Sequence, residues 1–221
     1  EQYSLALFQR EARAAVADIW SRGGIPWLVG GTGQYVWGLL EAWTVPEVAP
    51  DGSLRAELAA YAETMGPEAL HARLAASDPV AAGRIDARNV RRVIRAIEVH
   101  LVSGTPISEW QRKGDPGFDF LVIAPDVPAA EVDRRIDERV RAMVATGFVD
   151  EVRALRDAGV TESAPAMASI GYREMLGYIE GKLSLEQAME ECARATRRLA
   201  RRQRQWFRRD DPRVTWVMST E

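Results

Sequence analysis

Lysine is almost missing from these 221 residues: Lys113 and Lys182 are the only two, so nearly all of the 29 cationic side chains are arginine. Codon bias alone would give the same scarcity, so only the placement of the arginines carries information. Cysteine is scarcer still. Cys192 stands alone, which excludes an internal disulfide and fits a reducing, cytoplasmic setting. His71 and His100 are the only histidines and lie too far apart for metal-ligand spacing, so both read as ordinary helix residues. No apolar run approaches the roughly 20 residues that cross a bilayer, and Glu1-Gln2-Tyr3-Ser4 has neither the basic start nor the cleavage site of a signal peptide. The remaining composition, 47% hydrophobic and 28% charged, is that of a globular protein with one large core or a core plus a small appended domain.

Gly30-Gly31-Thr32-Gly33-Gln34-Tyr35 follows the apolar run Ile25–Val29 and precedes a helical pattern from Val36 to Leu40. A strand that runs into glycines and opens a helix presents unpaired N–H groups at the positive end of that helix, which suits a phosphate. Gly30, Gly31 and Gly33 let an oxyanion approach the main chain, and Thr32 adds a hydroxyl donor. The same glycines also serve simply to turn a strand into a helix.

Ser4 reads as the N-cap of a helix with Leu5, Phe8, Ala12, Ala15 and Ile19 on one face, stopped by Arg22-Gly23-Gly24. Ile25–Val29 then reads as a core strand, and the succession suggests an α/β fold with a parallel sheet. Pro46–Pro50 breaks this pattern, and from Ser53 to Ser103 the periodicity is purely helical, with Asp78-Pro79 as an internal helix start. A second candidate core strand spans Phe118–Ile123. Residues 46–115 therefore read as a helical insertion in an α/β core formed by 1–45 and 116–221. Pro128 opens a helix with Val132, Ile136, Val140 and Met143 inward, and Val149–Ala158 continues as helix. Ser184 caps a last long helix running to about Arg209, and Val214–Val217 closes as a strand.

The net charge of −3 hides an uneven distribution, with arginines crowded into Arg84–Arg95 and Arg194–Arg213. Arg194, Arg197, Arg201, Arg204 and Arg208 recur at steps of three and four, which places them on one helix face. Glu190, Glu191, Asp210 and Asp211 are too few to neutralise that stripe, and Trp206-Phe207 lies within it, so it fits a nucleic acid or another polyanion. Arg91, Arg92 and Arg95 form a second patch, with Glu98 positioned to pair with Arg95. Arg135 and Arg139 lie one turn apart; they either pair with Glu131 and Asp137, as their spacing favours, or reach toward a pyrophosphate.

These segments together resemble the tRNA dimethylallyltransferases, also called isopentenyl-diphosphate:tRNA transferases. The matching residues are Tyr3-Ser4 with Phe8–Ala12, Leu28–Tyr35, Asp78-Pro79 with Ala81-Ala82, Arg91–Val99, Ser169–Glu174, and Thr196–Gln203 with Trp206–Arg208. The resemblance implies a P-loop-NTPase-like parallel-sheet core carrying an all-helical inserted subdomain. It implies transfer of a dimethylallyl group from dimethylallyl diphosphate to N6 of the adenosine 3′ of the anticodon. Thr32 and Arg139 would act on the departing diphosphate, with Gly30, Gly31, Gly33 and Arg135 around it. Arg55, Arg91, Arg92 and Arg95 would grip the anticodon stem–loop. Ser169, Gly171, Tyr172 and Arg173, with Arg197, Arg201, Gln203 and Arg208, would line the RNA channel, and the target base would leave its stack.

The family's phosphate-binding loop, Gly-x-x-x-x-Gly-Lys-Ser/Thr, and its general-base aspartate have no counterpart in these residues. The chain therefore reads as an N-terminally truncated copy, with the magnesium that the family implies held by ligands outside it. The expectation is a monomer, inactive as an isolated fragment; the alternative is a non-catalytic tRNA-binding fragment. A small-molecule kinase would leave both arginine clusters unexplained.

Overall fold

A computed structural model describes residues 3–110, 112–162 and 164–218, and the chain divides into two compact units, one up to Phe120 and one from Leu121. In the first unit, α1 (Leu5–Ser21) starts where Ser4 accepts a hydrogen bond from the Leu7 N–H, as its sequence predicts. It packs on α2 (Gly33–Leu40) closely at Gly38. A Cβ on Gly38 would sit 2.7 Å from Leu5 Cδ1. Two further contacts lock the pair: Gln9 Nε2 donates to the Gly38 and Trp43 carbonyls at 2.6 and 3.0 Å, and the Phe8 and Tyr35 rings stack at 4.7 Å. Ala15, expected on the inner face, is exposed.

The helical region follows as α3 (Gly52–Met65), α4 (Pro67–Ser77), α5 (Pro79–Ala82), α6 (Val90–Ser103) and α7 (Ile107–Trp110). Its core is an apolar cluster including Leu58, Leu70, Leu74, Val93 and Ile97, in which Leu70 and Leu74, and Val93 and Ile97, lie one helical turn apart. Asp78 is buried and holds two starts together, accepting from Ala81 N and from Ser108 N, each at 2.9 Å. Burial pushes its carboxyl up, but those N–H donors outweigh burial and hold it below the usual carboxylate range. Gly104 ends α6 in the left-handed conformation, at φ +72°, which glycine adopts without steric cost.

The second unit begins with β1 (Val122–Asp126), followed by α8 (Ala129–Ala145), α9 (Phe148–Asp157), α10 (Tyr172–Ile179), α11 (Leu185–Trp206) and β2 (Val214–Met218). β1 and β2 pair in parallel, from Val122 opposite Val214 to Asp126 opposite Met218, with the helices forming the crossover. The expected parallel sheet is thus present as a two-stranded ribbon among the described residues. Its helices close over Ile136, Val140, Phe148, Val152, Met175, Leu176 and Ala188.

Three sequence expectations need correction. Ile25–Val29 is not a strand: Ile25, Trp27 and Val29 are largely exposed, and no described backbone group pairs with theirs. A strand is stabilised by its neighbours' ladder, and composition alone cannot supply one. The Phe118–Ile123 strand begins only at Val122, where pairing with β2 begins. The last helix stops at Trp206, so Arg208 lies beyond it and leaves the helical stripe.

Candidate functional site

Thr32 is the N-cap of α2. Its carbonyl accepts from Tyr35 N at 2.8 Å and Val36 N at 3.1 Å, but its side chain makes no capping hydrogen bond. The exposed hydroxyl and the first N–H groups of α2 therefore remain open to an anion. None of Gly30, Gly31 and Gly33 has a positive φ. The backbone around Gly30 is open: a Cβ there would meet nothing within 4 Å.

Arg135 and Arg139 are exposed on α8 in the second unit. Arg135 donates through Nε to Glu131 at 2.6 Å, as its spacing predicts. Glu131 also takes Arg134, and the two guanidinium groups hold its carboxyl at about 2. Asp137 does not pair with Arg139; it takes Arg197 of α11 instead. Arg139 keeps its guanidinium without an ion pair among the described residues.

The arginines of the helical region fall into two groups. Arg91 and Arg92 are exposed in the first turn of α6 and make no ion pair among the described residues. Arg55 and Arg95 converge on Glu98, which is wholly buried. Arg55 gives Nε to Oε1 and Nη2 to Oε2, both at 2.8 Å; Arg95 gives Nη1 to Oε2 at 2.6 Å; and Asp51 N donates to Oε1 at 2.8 Å. Burial raises the Glu98 carboxyl, but its arginine partners and the Asp51 N–H prevail and hold it below the ordinary range. The Arg95–Glu98 pair was legible from its spacing. Arg55, 43 residues away, was not.

On α11 the stripe is quieter than the sequence suggests. Arg197 pairs with Asp137 and, at 3.9 Å, with Asp133 of α8; Arg201 lies 3.7 Å from Asp133; Arg204 donates to the Val127 carbonyl at 2.8 Å. Asp133 and Asp137 come from another helix, so counting acids along α11 missed them. Arg208 pairs with Asp210. Gln203 is half-buried on the same helix.

The Ser169–Arg173 turn leads into α10. Gly171 takes φ +97°, and a Cβ there would lie 3.1 Å from the Phe148 ring. Glu174, nearly buried, accepts from Gly171 N at 2.7 Å and from Arg173 Nη2 at 2.5 Å. Arg173 and Ser169 are exposed, and the Tyr172 hydroxyl donates to Glu151, whose carboxylate raises the phenol pKa. No group of three or more His, Cys, Asp or Glu side chains among the described residues is placed to hold a metal, and no described helix is long and apolar enough to cross a membrane.

Comparisons with known proteins agree with one another. The family model described as IPP transferase matches residues 1–210. A tRNA dimethylallyltransferase of Chloroflexus aggregans is 50% identical over 209 residues, covering 95% of this chain and 71% of that protein. The crystal structure of a full-length tRNA isopentenylpyrophosphate transferase from Bacillus halodurans is 36% identical, with a TM-score of 0.64, over 99% of this chain and 68% of that one. A eukaryotic dimethylallyltransferase, solved in snapshots acting on tRNA, is 25% identical with a TM-score of 0.79 over 100% of this chain and 58% of that one.

Proposed function

We propose that this chain, which belongs to the IPP transferase family, transfers a dimethylallyl group from dimethylallyl diphosphate to N6 of the adenosine 3′ of the anticodon in tRNA. The observation that carries the reading is the 50% identity to a tRNA dimethylallyltransferase over almost the whole chain. A purely RNA-binding role is disfavoured by the same relatives, which are named for the transfer itself.

In this reading the residues described act on the leaving group. As the allylic C–O bond breaks, negative charge grows on the diphosphate. The Thr32 hydroxyl and the N–H groups at the start of α2 donate to it, with Gly30, Gly31 and Gly33 around it. Arg139, whose guanidinium has no intramolecular partner among the described residues, neutralises that charge, with Arg135 nearby on α8. Arg55, Arg91, Arg92 and Arg95 face the anticodon stem. Ser169, Gly171, Tyr172, Arg173, Arg197, Arg201, Gln203 and Arg208 face the RNA beside the flipped base. The family implies magnesium, and the described residues form no cluster of three or more His, Cys, Asp or Glu side chains that would hold it.

A P-loop-NTPase-like core of residues 1–45 and 116–221, with 46–115 as its helical insertion, belongs to the same proposal, as do a monomeric state and a cytoplasmic setting. The test is transfer of labelled dimethylallyl to an anticodon stem–loop; an RNA with guanosine at the target position should stay unlabelled. Thr32→Ala and Arg139→Ala, made in a version that also carries the family's phosphate-binding loop, should each lower kcat by about 100- to 1000-fold, with RNA affinity unchanged. Lost RNA affinity with normal turnover would mean that both residues have been given the wrong role.

A further inference from the structure

Glu98 is the most completely enclosed charge in the helical region, and its surroundings are unusual for a stabilising device. Two cations meet one anion, which leaves the cluster with an excess positive charge. Glu98 itself is 0% exposed, whereas the Arg55 and Arg95 side chains remain 33% and 31% exposed. Four hydrogen bonds saturate the carboxylate, and Arg95 Nη2 also donates to the Val48 carbonyl at 3.0 Å. Both forks are therefore held in fixed planes. Arg55 Nη1 and Arg95 Nε carry no hydrogen bond among the described residues, so each fork keeps donors to offer at the surface. Arg91 lies one helical turn before Arg95, on the same side of α6.

Buried ion clusters of this kind seldom stabilise a fold better than apolar residues of similar volume would. Fixing guanidinium planes, by contrast, is what recognition of phosphate oxygens requires, because the fork is planar and its donors are directional. We propose that Glu98 is a positioning residue that holds Arg55 and Arg95 as a preset pair for phosphodiester oxygens of RNA. The proposal rests on the tRNA reading above and adds to it a carboxylate that never touches the RNA.

The sign of one substitution separates positioning from plain charge balance. Glu98→Gln keeps the shape and makes the protein one charge more positive. If Glu98 only neutralised its neighbours, RNA would bind more tightly. Positioning predicts the reverse. Binding of an anticodon stem–loop RNA, measured over a salt series, should weaken about tenfold, and the log–log salt slope should shrink by about one. Circular dichroism and a thermal melt check that the variant is folded at the assay temperature. Arg55→Lys, which keeps the charge but loses the fork, should weaken binding similarly and serves if Glu98→Gln does not fold. Equal or tighter binding by folded Glu98→Gln or by Arg55→Lys, while Arg91→Gln weakens it, overturns the positioning role and leaves the tRNA reading intact. If none of these changes affects affinity, the helical region does not face RNA, and the proposal falls with that part of the reading.

Discussion

Two regions of the molecule hold arginines against carboxylates, and they do so in opposite ways. Between α3 and α6, Arg55 and Arg95 share Glu98, which is fully buried. Between α8 and α11, Arg197 and Arg201 reach Asp133 and Asp137, whose side chains are 38% and 35% exposed. The first arrangement fixes guanidinium orientation, because its acceptor cannot be replaced by water. The second aligns two helices loosely and stays open to salt and solvent. Similar clusters in sequence thus lead to different physics, decided by the burial of the acid rather than by the number of arginines.

The largest effect that would sharpen this contrast comes from deleting the buried acid. Glu98→Ala should cost about 3 kcal/mol, since it strands two half-buried cations and the Asp51 N–H; urea unfolding monitored in the helical region measures it. A loss below about 1 kcal/mol would erase the distinction between the two regions.

Acid should reproduce part of that loss. The folded pKa of Glu98 lies below its ordinary value of 4.5, so its contribution is complete above that pH and is lost as pH falls through the lowered value. Glu131, exposed on α8 and held at about 2, should stay ionised over most of that range without protecting the helical region. Carboxyl-carbon NMR followed against pH distinguishes them; unfolding of the helical region that begins well above pH 4.5 would contradict this account.

The smallest effect belongs to the exposed pairs. Asp137→Ala should cost less than about 1 kcal/mol, and added salt should shrink the difference further. A cost equal to that of Glu98→Ala would mean that the α8–α11 pairing is as rigid as the buried cluster.

Much of this was legible in the sequence, for identifiable reasons. The Ser4 cap, the helix start at Asp78-Pro79 and the helical periodicity from Ser53 to Ser103 are local signals, and the structure places each as expected. The Glu131–Arg135 pair was readable because its partners share one helix face. Long-range partners were not: Gln9 with the Gly38 and Trp43 carbonyls, Arg55 with Glu98, and Asp137 with Arg197 join segments between 29 and 60 residues apart. Ile25–Val29 failed for the complementary reason, since a strand depends on a neighbouring backbone that periodicity does not encode. Within the candidate site, the residue types at Thr32 and Arg139 were legible; that neither side chain has an intramolecular partner among the described residues required the fold.

The uncapped start of α2 has an evolutionary and engineering consequence. A side chain at position 32 that bonded to its own helix would contribute about 1 kcal/mol, so the Thr32 conformation is not the one a search for thermal tolerance would select. Under the proposed function, that forgone margin keeps the hydroxyl available to the diphosphate. Libraries sorted only for heat resistance would drift toward self-capping residues at this position and lose turnover without any sign of misfolding.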